Sequence, residues 1–351
     1  MSRFLHPSLQ RLEQYQPGEQ PTVSNLIKLN TNELPYPCPP GVIKAVSDCV
    51  GGLNLYNDPN ANGLCRQIAE HYNLPVDNVF VSNGSDEALA FIFQGLCPNG
   101  VAFADVTYGF YRVLSCLFSL ETDIIPLHRD FSLDIADYER TTRTVVIANP
   151  NPPCGLAVTT GDIEALVQQN SERLVVVDEA YIDFSDQTSA CELCDRYDNL
   201  LIVGTFSKSY GLAGARLGYA LGCADIVQDL NRVRFSFNPY SVSQPAQYAG
   251  IEALRADEYY QACRAKVIAT RARVQLALRA LGFECTDSMG NFVFATHSEY
   301  DAKTLFEKLR QNYILVRWFD TKRTANFLRI SVGSDAEMDV LLAALGWLLV
   351  E

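Results

Sequence analysis

The sequence lacks several features that would assign it to a class at once. It has no stretch of about 18 consecutive apolar residues, so no transmembrane helix is predicted. Its first twenty residues contain no apolar segment of the signal-peptide type, and we expect no secretory signal. Neither a GxxxxGK phosphate loop nor a GxSxG nucleophile motif occurs. P-loop NTPases and α/β-hydrolases are therefore not indicated.

Positive charge is scarce. The chain carries 28 Lys and Arg against 41 Asp and Glu, a formal net charge of −13. This balance argues against nucleic acid or an anionic membrane surface as the main partner. It leaves room for a small anionic ligand, because a few local arginines can override the overall field.

Groups of metal-binding side chains are also scarce. The histidines are four and dispersed, at positions 6, 71, 128 and 297, so no metal site is predicted. The cysteines are eleven, scattered and odd in number, which favours free thiols in a reducing cytoplasm over a disulfide framework. We therefore expect a cytoplasmic protein. Cys191 and Cys194 form a lone CxxC with no second pair, which is a weak signal for redox or metal chemistry.

Strand and helix patterns alternate between residues 64 and 255. The runs TRTVVIAN (142–149), RLVVVDEAY (173–181) and NLLIVGTFS (199–207) are apolar on both faces, which is typical of strands covered by helices on each side. Helical patterns separate them, such as TTGDIEALVQQN (159–170), which is expected to begin near Thr160 or Gly161. The alternation predicts an α/β fold with a mostly parallel central sheet.

The pattern changes after residue 255. A long helical stretch (258–282) is followed by shorter strands and helices, which predicts a smaller α+β domain. The first thirty residues are Pro-rich and irregular. A chain of 351 residues has room for about two domains. We therefore expect an arm (1–30), a large domain (31–255) and a small domain (256–351).

The residues just after the predicted strands are candidates for a binding site, because ligands of open parallel sheets bind beyond the carboxyl ends of the strands. Backbone N–H groups of Gly84, Ser85 and Asp86 could bind an anion at a helix start, although an ordinary capped helix is the simpler explanation of this motif taken alone. Tyr108 could stack on a planar cofactor or be a packed core aromatic. Asn149 and Asn151 fall in a Pro-rich turn.

Three charged residues stand at the ends of the next two strands. Asp178 ends an apolar run, where a carboxylate needs a cation such as a metal or a protonated heterocyclic nitrogen. Lys208 would be partly desolvated, which lowers its pKa and makes it a usable nucleophile. Arg216 could hold a phosphate, and the small residues before it would let a ligand approach closely. Solvated loop charges are the plainer alternative.

Together these groups match what pyridoxal 5′-phosphate requires: a lysine, a carboxylate for the ring nitrogen, an aromatic ring for stacking, and amides with an arginine for the phosphate. At this point SKSYGLAGARLGY (207–219) and DEAY (178–181) resemble the motifs of fold-type-I aminotransferases. Further motifs resemble those of the histidinol-phosphate aminotransferases, in order over nearly the whole chain. They are KLNTNELPYP (28–37), LYNDPN (55–60), SNGSDE (82–87), TYGFY (107–111) and LRISVG (328–333).

The resemblance implies a role for each matching residue. Lys208 would be the Schiff-base lysine and proton shuttle, Asp178 would pair with the pyridine nitrogen, and Tyr181 would contact the 3′ oxygen of the cofactor. The implied phosphate ligands are the amides of Gly84, Ser85 and Asp86 with the side chains of Ser207 and Arg216, while Tyr108 would stack on the ring. In an implied homodimer, Tyr56 would reach the partner's cofactor. Tyr15, Arg317 and Arg329 would bind the substrate.

One motif departs from the family. The stretch NPNPPCG (149–155) stands where NPNNPTG is usual, so Pro152 replaces an asparagine that contacts the 3′ oxygen. We expect Asn151, or else Asn149, to substitute for it.

The implied reaction transfers the amino group of L-histidinol phosphate to 2-oxoglutarate. Alternatives on the same scaffold are an aromatic amino acid aminotransferase and a threonine-phosphate decarboxylase. A non-catalytic interaction module is the alternative from another class, and the complete set of Asp178, Lys208 and Arg216 speaks against it.

Overall fold

A computed structural model describes residues 2–10, 12–23 and 25–350. The strands are β1 (Ile27–Lys28), β2 (Val79–Ser82), β3 (Val101–Ala104), β4 (Thr122–Ile125), β5 (Thr144–Ala148), β6 (Val175–Asp178), β7 (Leu200–Thr205), β8 (Gly218–Gly222), β9 (Phe283–Cys285), β10 (Phe292–His297), β11 (Ile314–Leu315), β12 (Arg317–Trp318) and β13 (Phe327–Ser331). The helices are α1 (Pro40–Cys49), α2 (Asn62–Tyr72), α3 (Ser85–Gly95), α4 (Phe110–Leu117), α5 (Thr160–Gln168), α6 (Ala224–Phe237), α7 (Gln244–Arg255), α8 (Asp257–Ala280), α9 (Ala302–Gln311) and α10 (Asp335–Leu348).

The central sheet has seven strands in the order β2-β8-β7-β6-β5-β3-β4. Strands β3 to β7 pair in parallel, whereas β8 runs antiparallel to both β2 and β7. The predicted α/β fold with a mostly parallel sheet is thus confirmed. The strand pattern of β8 was not predicted, because its sequence GYALG is short and begins and ends with glycine.

Both faces of the sheet are covered, as the apolar runs predict. Val175 and Val177 of β6 belong to one buried cluster, while Val176 between them belongs to another. Alternate side chains of a strand point to opposite faces, so each face of the sheet packs against its own layer of helices. Burial on both sides holds the strand ends in fixed positions relative to one another.

The C-terminal part builds a second sheet of four antiparallel strands in the order β12-β13-β10-β9. The apolar stretch ILVRW (314–318) forms two short strands rather than one, because β11 pairs with β1 whereas β12 pairs with β13. The N-terminal segment is therefore attached to the C-terminal part through β1. The domain limits at residues 30 and 255 stay predictions.

Helix α5 begins at Thr160, one of the two predicted start residues. Its N-cap is Thr159, whose side chain exchanges hydrogen bonds with Asp162 in a capping box. None of the helices in the described part of the chain has the length and apolar character needed to cross a lipid bilayer.

Candidate active site

The carboxyl ends of the parallel strands open into a cavity of about 430 Å³. A volume of this size suits a small-molecule ligand. The N-terminal arm and the second sheet close the cavity from the other side. The predicted site residues that line it are Tyr15, Ser85, Asp86, Tyr108, Asp178, Tyr181, Ser207, Lys208, Arg216, Arg317 and Arg329. Residues from widely separated motifs are thereby brought into one site.

Lys208 follows β7 and extends into the cavity. Its Nζ donates a hydrogen bond of 3.0 Å to the backbone carbonyl of Thr31. Burial, with the charge of the nearby Arg329 as the second cause, lowers the pKa of Lys208 to about 8. No carboxylate among the described residues lies within ion-pair distance of Nζ, so a sizeable fraction of this amine is neutral near pH 7.5.

Asp178 is the last residue of β6 and is buried. Its Oδ2 accepts a 2.7 Å hydrogen bond from the hydroxyl of Tyr111, and its Oδ1 accepts one of 3.2 Å from the Ala180 N–H. Burial raises the pKa of Asp178 to about 6, although both hydrogen bonds favour the charged form. A cation bound against this carboxylate would lower its pKa again. Sequence reasoning missed Tyr111, although it lies within the TYGFY motif.

The start of α3 meets Arg216 at the far end of the cavity. Arg216 donates to Asp86 Oδ2 at 3.0 Å and, at 3.4 Å, to the Ser207 hydroxyl. Tyr108 donates its hydroxyl to the other oxygen of Asp86 at 2.9 Å. The side chain of Asp86, predicted to contribute only its amide, thus links the arginine to the tyrosine.

Two glycines allow this close approach. Gly84 has φ +80°, and a Cβ there would lie 2.6 Å from Nη2 of Arg216. A Cβ on Gly218 would lie 2.3 Å from the Ser85 nitrogen. The amide groups at the helix start therefore sit directly against β8 and Arg216, where a phosphate would find several donors.

Arg317 and Arg329 enter the cavity from the second sheet. Arg317 donates to the carbonyls of Gln16 and Pro17 at 2.5 and 3.0 Å, and Arg329 donates to the carbonyl of Asn30 at 2.9 Å. Among the described residues neither guanidinium has a carboxylate partner, and Nε of Arg329 is buried without a hydrogen bond. Two positive charges without an acidic partner therefore face the ligand space.

Aromatic rings form the wall beneath the arm. The ring of Tyr15 meets Tyr108 edge to face, with centroids 5.8 Å apart and an interplanar angle of 71°. Burial raises the pKa values of Tyr15 and Tyr108, so both phenols stay protonated near neutral pH. The arm thus covers the ring predicted to stack on a cofactor.

Asn151 and Tyr56 lie outside the cavity. Asn151 donates its amide to the Val106 carbonyl at 2.9 Å and accepts from the Thr107 hydroxyl at 2.6 Å, while Pro152 lines the cavity instead. The structure therefore does not bring Asn151 to the site, because its amide stabilises its own loop. Tyr56 is 82% exposed and stacks on Tyr240 with centroids 4.4 Å apart.

The structure can be compared with the predictions for metal binding and for the CxxC pair. The described residues contain no cluster of three or more His, Cys, Asp or Glu side chains that could hold a metal ion. Cys191 and Cys194 are free thiols, and burial raises both pKa values, that of Cys191 to about 11. Thiols of this kind are poorly reactive.

Comparison with known proteins agrees with this geometry. The family model described as aminotransferase class I and II matches residues 24–345. The histidinol-phosphate aminotransferase of Brachyspira hyodysenteriae is 43% identical over 352 residues, which covers 99% of each chain. That of Marinomonas sp. is 46% identical over 351 residues, 98% of this chain and 99% of the relative. A solved histidinol-phosphate aminotransferase from Sinorhizobium meliloti, in complex with pyridoxal-5′-phosphate, is 26% identical, with a TM-score of 0.89 over 100% of this chain and 98% of that one. The chain belongs to the aminotransferase class I and II family.

Proposed function

We propose that this protein transfers the amino group of L-histidinol phosphate to 2-oxoglutarate with pyridoxal 5′-phosphate as cofactor, in histidine biosynthesis. The names of relatives at 43% and 46% identity over nearly the whole chain support the reaction. The cofactor-bound neighbour and the set of groups around the cavity support the cofactor. Neither aromatic amino acid transamination nor threonine-phosphate decarboxylation is favoured by these relatives.

The side chains of the cavity fit the cofactor chemically. An amine, a carboxylate, a phenol and a guanidinium share one cavity of about 430 Å³. Lys208 would carry the cofactor covalently, Asp178 would accept a hydrogen bond from its protonated ring nitrogen, and Tyr181 would contact its 3′ oxygen. Tyr108 would stack on the ring. The amides of Gly84, Ser85 and Asp86 would hold the phosphate with Ser207 and Arg216.

When bound, the cofactor supplies an electron-withdrawing ring that stabilises negative charge at the substrate carbon. Lys208 would take the proton from that carbon onto Nζ and return it to the neighbouring atom of the cofactor. A pKa of about 8 suits this work, because the amine can gain and lose a proton near neutral pH. The carboxylate of Asp178 would hold the ring in its protonated, electron-withdrawing form.

The pair of guanidinium groups is the observation that carries the substrate assignment. Arg317 and Arg329 lack acidic partners among the described residues and line the same cavity as Lys208. A chain with a net charge of −13 that leaves two arginines uncompensated in one cavity is prepared for an anionic ligand. The phosphate of L-histidinol phosphate and the second carboxylate of 2-oxoglutarate can each bind to these two guanidinium groups. Tyr15 would close over the bound substrate.

The functional unit is proposed to be a homodimer in the cytoplasm. Tyr56 stacks on Tyr240, and both rings and the neighbouring Leu55 are exposed, which is typical of a subunit contact. In a dimer Tyr56 would reach the partner's cofactor phosphate. The eleven cysteines, all among the described residues, form no disulfide bond, which favours a reducing compartment.

The visible absorption spectrum of the purified protein tests the proposal. L-Histidinol phosphate, L-phenylalanine and O-phospho-L-threonine are added separately without keto acid. We expect histidinol phosphate alone to bleach the band of the lysine-bound cofactor. Equal bleaching by phenylalanine would identify a broader aromatic aminotransferase. A protein with no visible band after addition of pyridoxal phosphate would refute the cofactor assignment.

A further inference from the structure

Asn32 lies where the N-terminal segment meets both the cavity and the second sheet. It is 1% exposed and adopts the left-handed conformation with φ 56°. Its backbone carbonyl accepts a 2.9 Å hydrogen bond from the side chain of Asn291. Its side chain contacts Ser331 of β13 and Tyr181 of the cavity wall. Asn32 does not line the cavity itself, and the sequence patterns gave no sign of this contact.

The hydrogen bonds of Asn32 have a fixed direction. Its backbone N–H must donate, and it does so to the Ser331 hydroxyl at 2.8 Å. The hydroxyl hydrogen of Ser331 is thus free to be donated to Oδ1 of Asn32, which lies 2.9 Å away. Oδ1 is thereby fixed as the acceptor end of the amide. The NH₂ end must face Tyr181, whose hydroxyl oxygen lies 3.1 Å from Nδ2.

The hydroxyl of Tyr181 consequently accepts from Asn32 and keeps its own hydrogen for another partner. Among the described residues no acceptor takes this hydrogen. Tyr181 is 8% exposed and lines the cavity, and its ring lies 5.9 Å from Nζ of Lys208. Burial raises its pKa, so the hydroxyl is protonated near neutral pH. Its ring is held edge to face against Phe292 at 5.1 Å.

We infer that Asn32 is a positioning residue that orients the Tyr181 hydroxyl so that its proton is donated into the cavity beside Lys208. The acceptor it serves is an oxyanion of the ligand bound to Lys208. Here the inference rests on the proposed function, in which that acceptor is the 3′ oxygen of pyridoxal phosphate. Pro152 offers no side-chain donor at this wall, and the amide of Asn151 is occupied within its loop. The donation by Tyr181 therefore depends on Asn32.

Asn32→Asp reverses the direction of the hydrogen bond with little change of shape. An aspartate accepts at both oxygens, tolerates the left-handed conformation and would take the Tyr181 proton for itself. The 3′ oxygen would lose a donor that stabilises its anionic form. The pH midpoint of the visible cofactor band should therefore rise, by about one to two pH units for a hydrogen bond to a charged group.

A double-mutant cycle separates this effect from the added negative charge. The midpoint is measured in the holoenzyme for the unchanged protein, Asn32→Asp, Tyr181→Phe and the double variant. We expect the shift caused by Asn32→Asp to be at least twofold smaller in combination with Tyr181→Phe, because the hydroxyl is then absent. Equal shifts with and without the hydroxyl would overturn the inference and leave the proposed function standing.

Two further variants keep the test decisive. Ser331→Ala should leave the fold of β13 in place, but it removes the hydroxyl that fixes the orientation of the Asn32 amide. The amide can then rotate, so the pH midpoint should rise, by less than in Asn32→Asp. Asn291→Ala removes the contact to the Asn32 carbonyl without affecting the amide direction, and it should lower the melting temperature of the apoprotein without moving the midpoint. An unshifted midpoint in Ser331→Ala, or the same shift in both variants, would contradict the inference. A holoprotein without a visible band would overturn the proposed function and the inference with it.

Discussion

Tyr111 donates its hydroxyl hydrogen to Oδ2 of Asp178 at 2.7 Å, and both side chains are buried. The tyrosine comes from α4 and the aspartate from the end of β6, so the contact joins a helix to the sheet edge. Burial raises the pKa of Tyr111, with the charge of Asp178 as a second cause, and the phenol is therefore a permanent donor. The hydrogen bond offsets part of the cost of keeping a carboxylate charged in this position.

Tyr111→Phe should raise the pKa of Asp178 above its value of about 6 and weaken cofactor binding. A hydrogen bond to a charged group contributes about 1.5–3 kcal/mol, and its loss makes Asp178 harder to ionise in the apoprotein, so the affinity for pyridoxal phosphate should fall roughly two- to fifteenfold near pH 7. The difference in cofactor affinity between the variant and the unchanged protein should become smaller toward pH 9, because Asp178 is ionised in both at that pH. Fluorescence titration of the apoprotein at several pH values measures it.

The matched control is Tyr138→Phe. The hydroxyl of Tyr138 is buried without a partner among the described residues, so its removal should leave cofactor affinity unchanged. An equal loss in both variants would show that the Tyr111 hydroxyl acts only through packing.

Lys208→Met should stop proton exchange at the substrate carbon while the chain still folds. The pKa of Lys208 is lowered to about 8 from 10.5, so the folded protein holds this proton less tightly than the unfolded chain. The resulting penalty on stability is complete below pH 8 and disappears as the pH rises to about 10.5. The apoprotein of the variant should therefore be more stable at pH 7, by about 1–2 kcal/mol after loss of the bond to Thr31.

Two measurements check the role of Lys208. Exchange of the α-hydrogen of histidinol phosphate for deuterium in deuterated water, monitored by NMR, reports the proton transfer. Denaturant unfolding of the apoprotein at pH 7 and pH 10.5 reports the stability difference. Normal exchange in Lys208→Met would remove Lys208 from the catalytic role, and a stability gain that grows with pH would contradict the lowered pKa.

Much of the site could be predicted because its residues follow their strands directly. Asp178 and Lys208 stand at the ends of β6 and β7, and parallel strands bring such ends together whatever the helices do. Asn32 and Tyr111 could not be found in this way. Asn32 meets Ser331 across 299 positions and Tyr111 meets Asp178 across 67, so both contacts depend on tertiary packing. The predicted contact of Asn151 with the cofactor depended on the geometry of its loop, which residue types alone do not determine.

Arg329→Ala should weaken the binding of phosphate-bearing substrate more than it slows the chemistry. Its guanidinium lies in the cavity with one backbone partner, the Asn30 carbonyl, and an unsatisfied Nε. Loss of a charge-assisted contact of about 1.5–3 kcal/mol should raise KM by one to two orders of magnitude. Steady-state kinetics measure it, with Arg279→Ala as control, because Arg279 pairs with Asp287 outside the cavity. An unchanged KM would exclude Arg329 from substrate binding.

Arg317→Ala should loosen the N-terminal arm. Both of its terminal nitrogens hold backbone carbonyls of the arm, those of Gln16 and Pro17. Limited proteolysis should cut the arm faster in this variant, and KM should rise as the cover over Tyr108 is lost. Arg310→Ala is the control, because Arg310 also contacts the arm, through an exposed ion pair with Glu19. This change should increase the cleavage rate much less, since exposed ion pairs contribute little. Equal cleavage rates in the two variants would contradict a specific role of Arg317.

Gly218→Ala should disrupt the phosphate end of the site without touching any catalytic side chain. The added Cβ would lie 2.3 Å from the Ser85 nitrogen and 2.4 Å from the Gly84 carbonyl carbon, both backbone atoms that cannot rotate away. The start of α3 must then move from β8, and the amides it offers to a phosphate move with it. We expect destabilisation by about 1–3 kcal/mol, as for other overpacked sites. The affinity for pyridoxal phosphate should fall more than the affinity for phosphate-free pyridoxal. Gly161→Ala is the control, because its nearest neighbour would be 3.6 Å away. If Gly218→Ala bound both cofactor forms as the unchanged protein does, the helix start would not be the phosphate site.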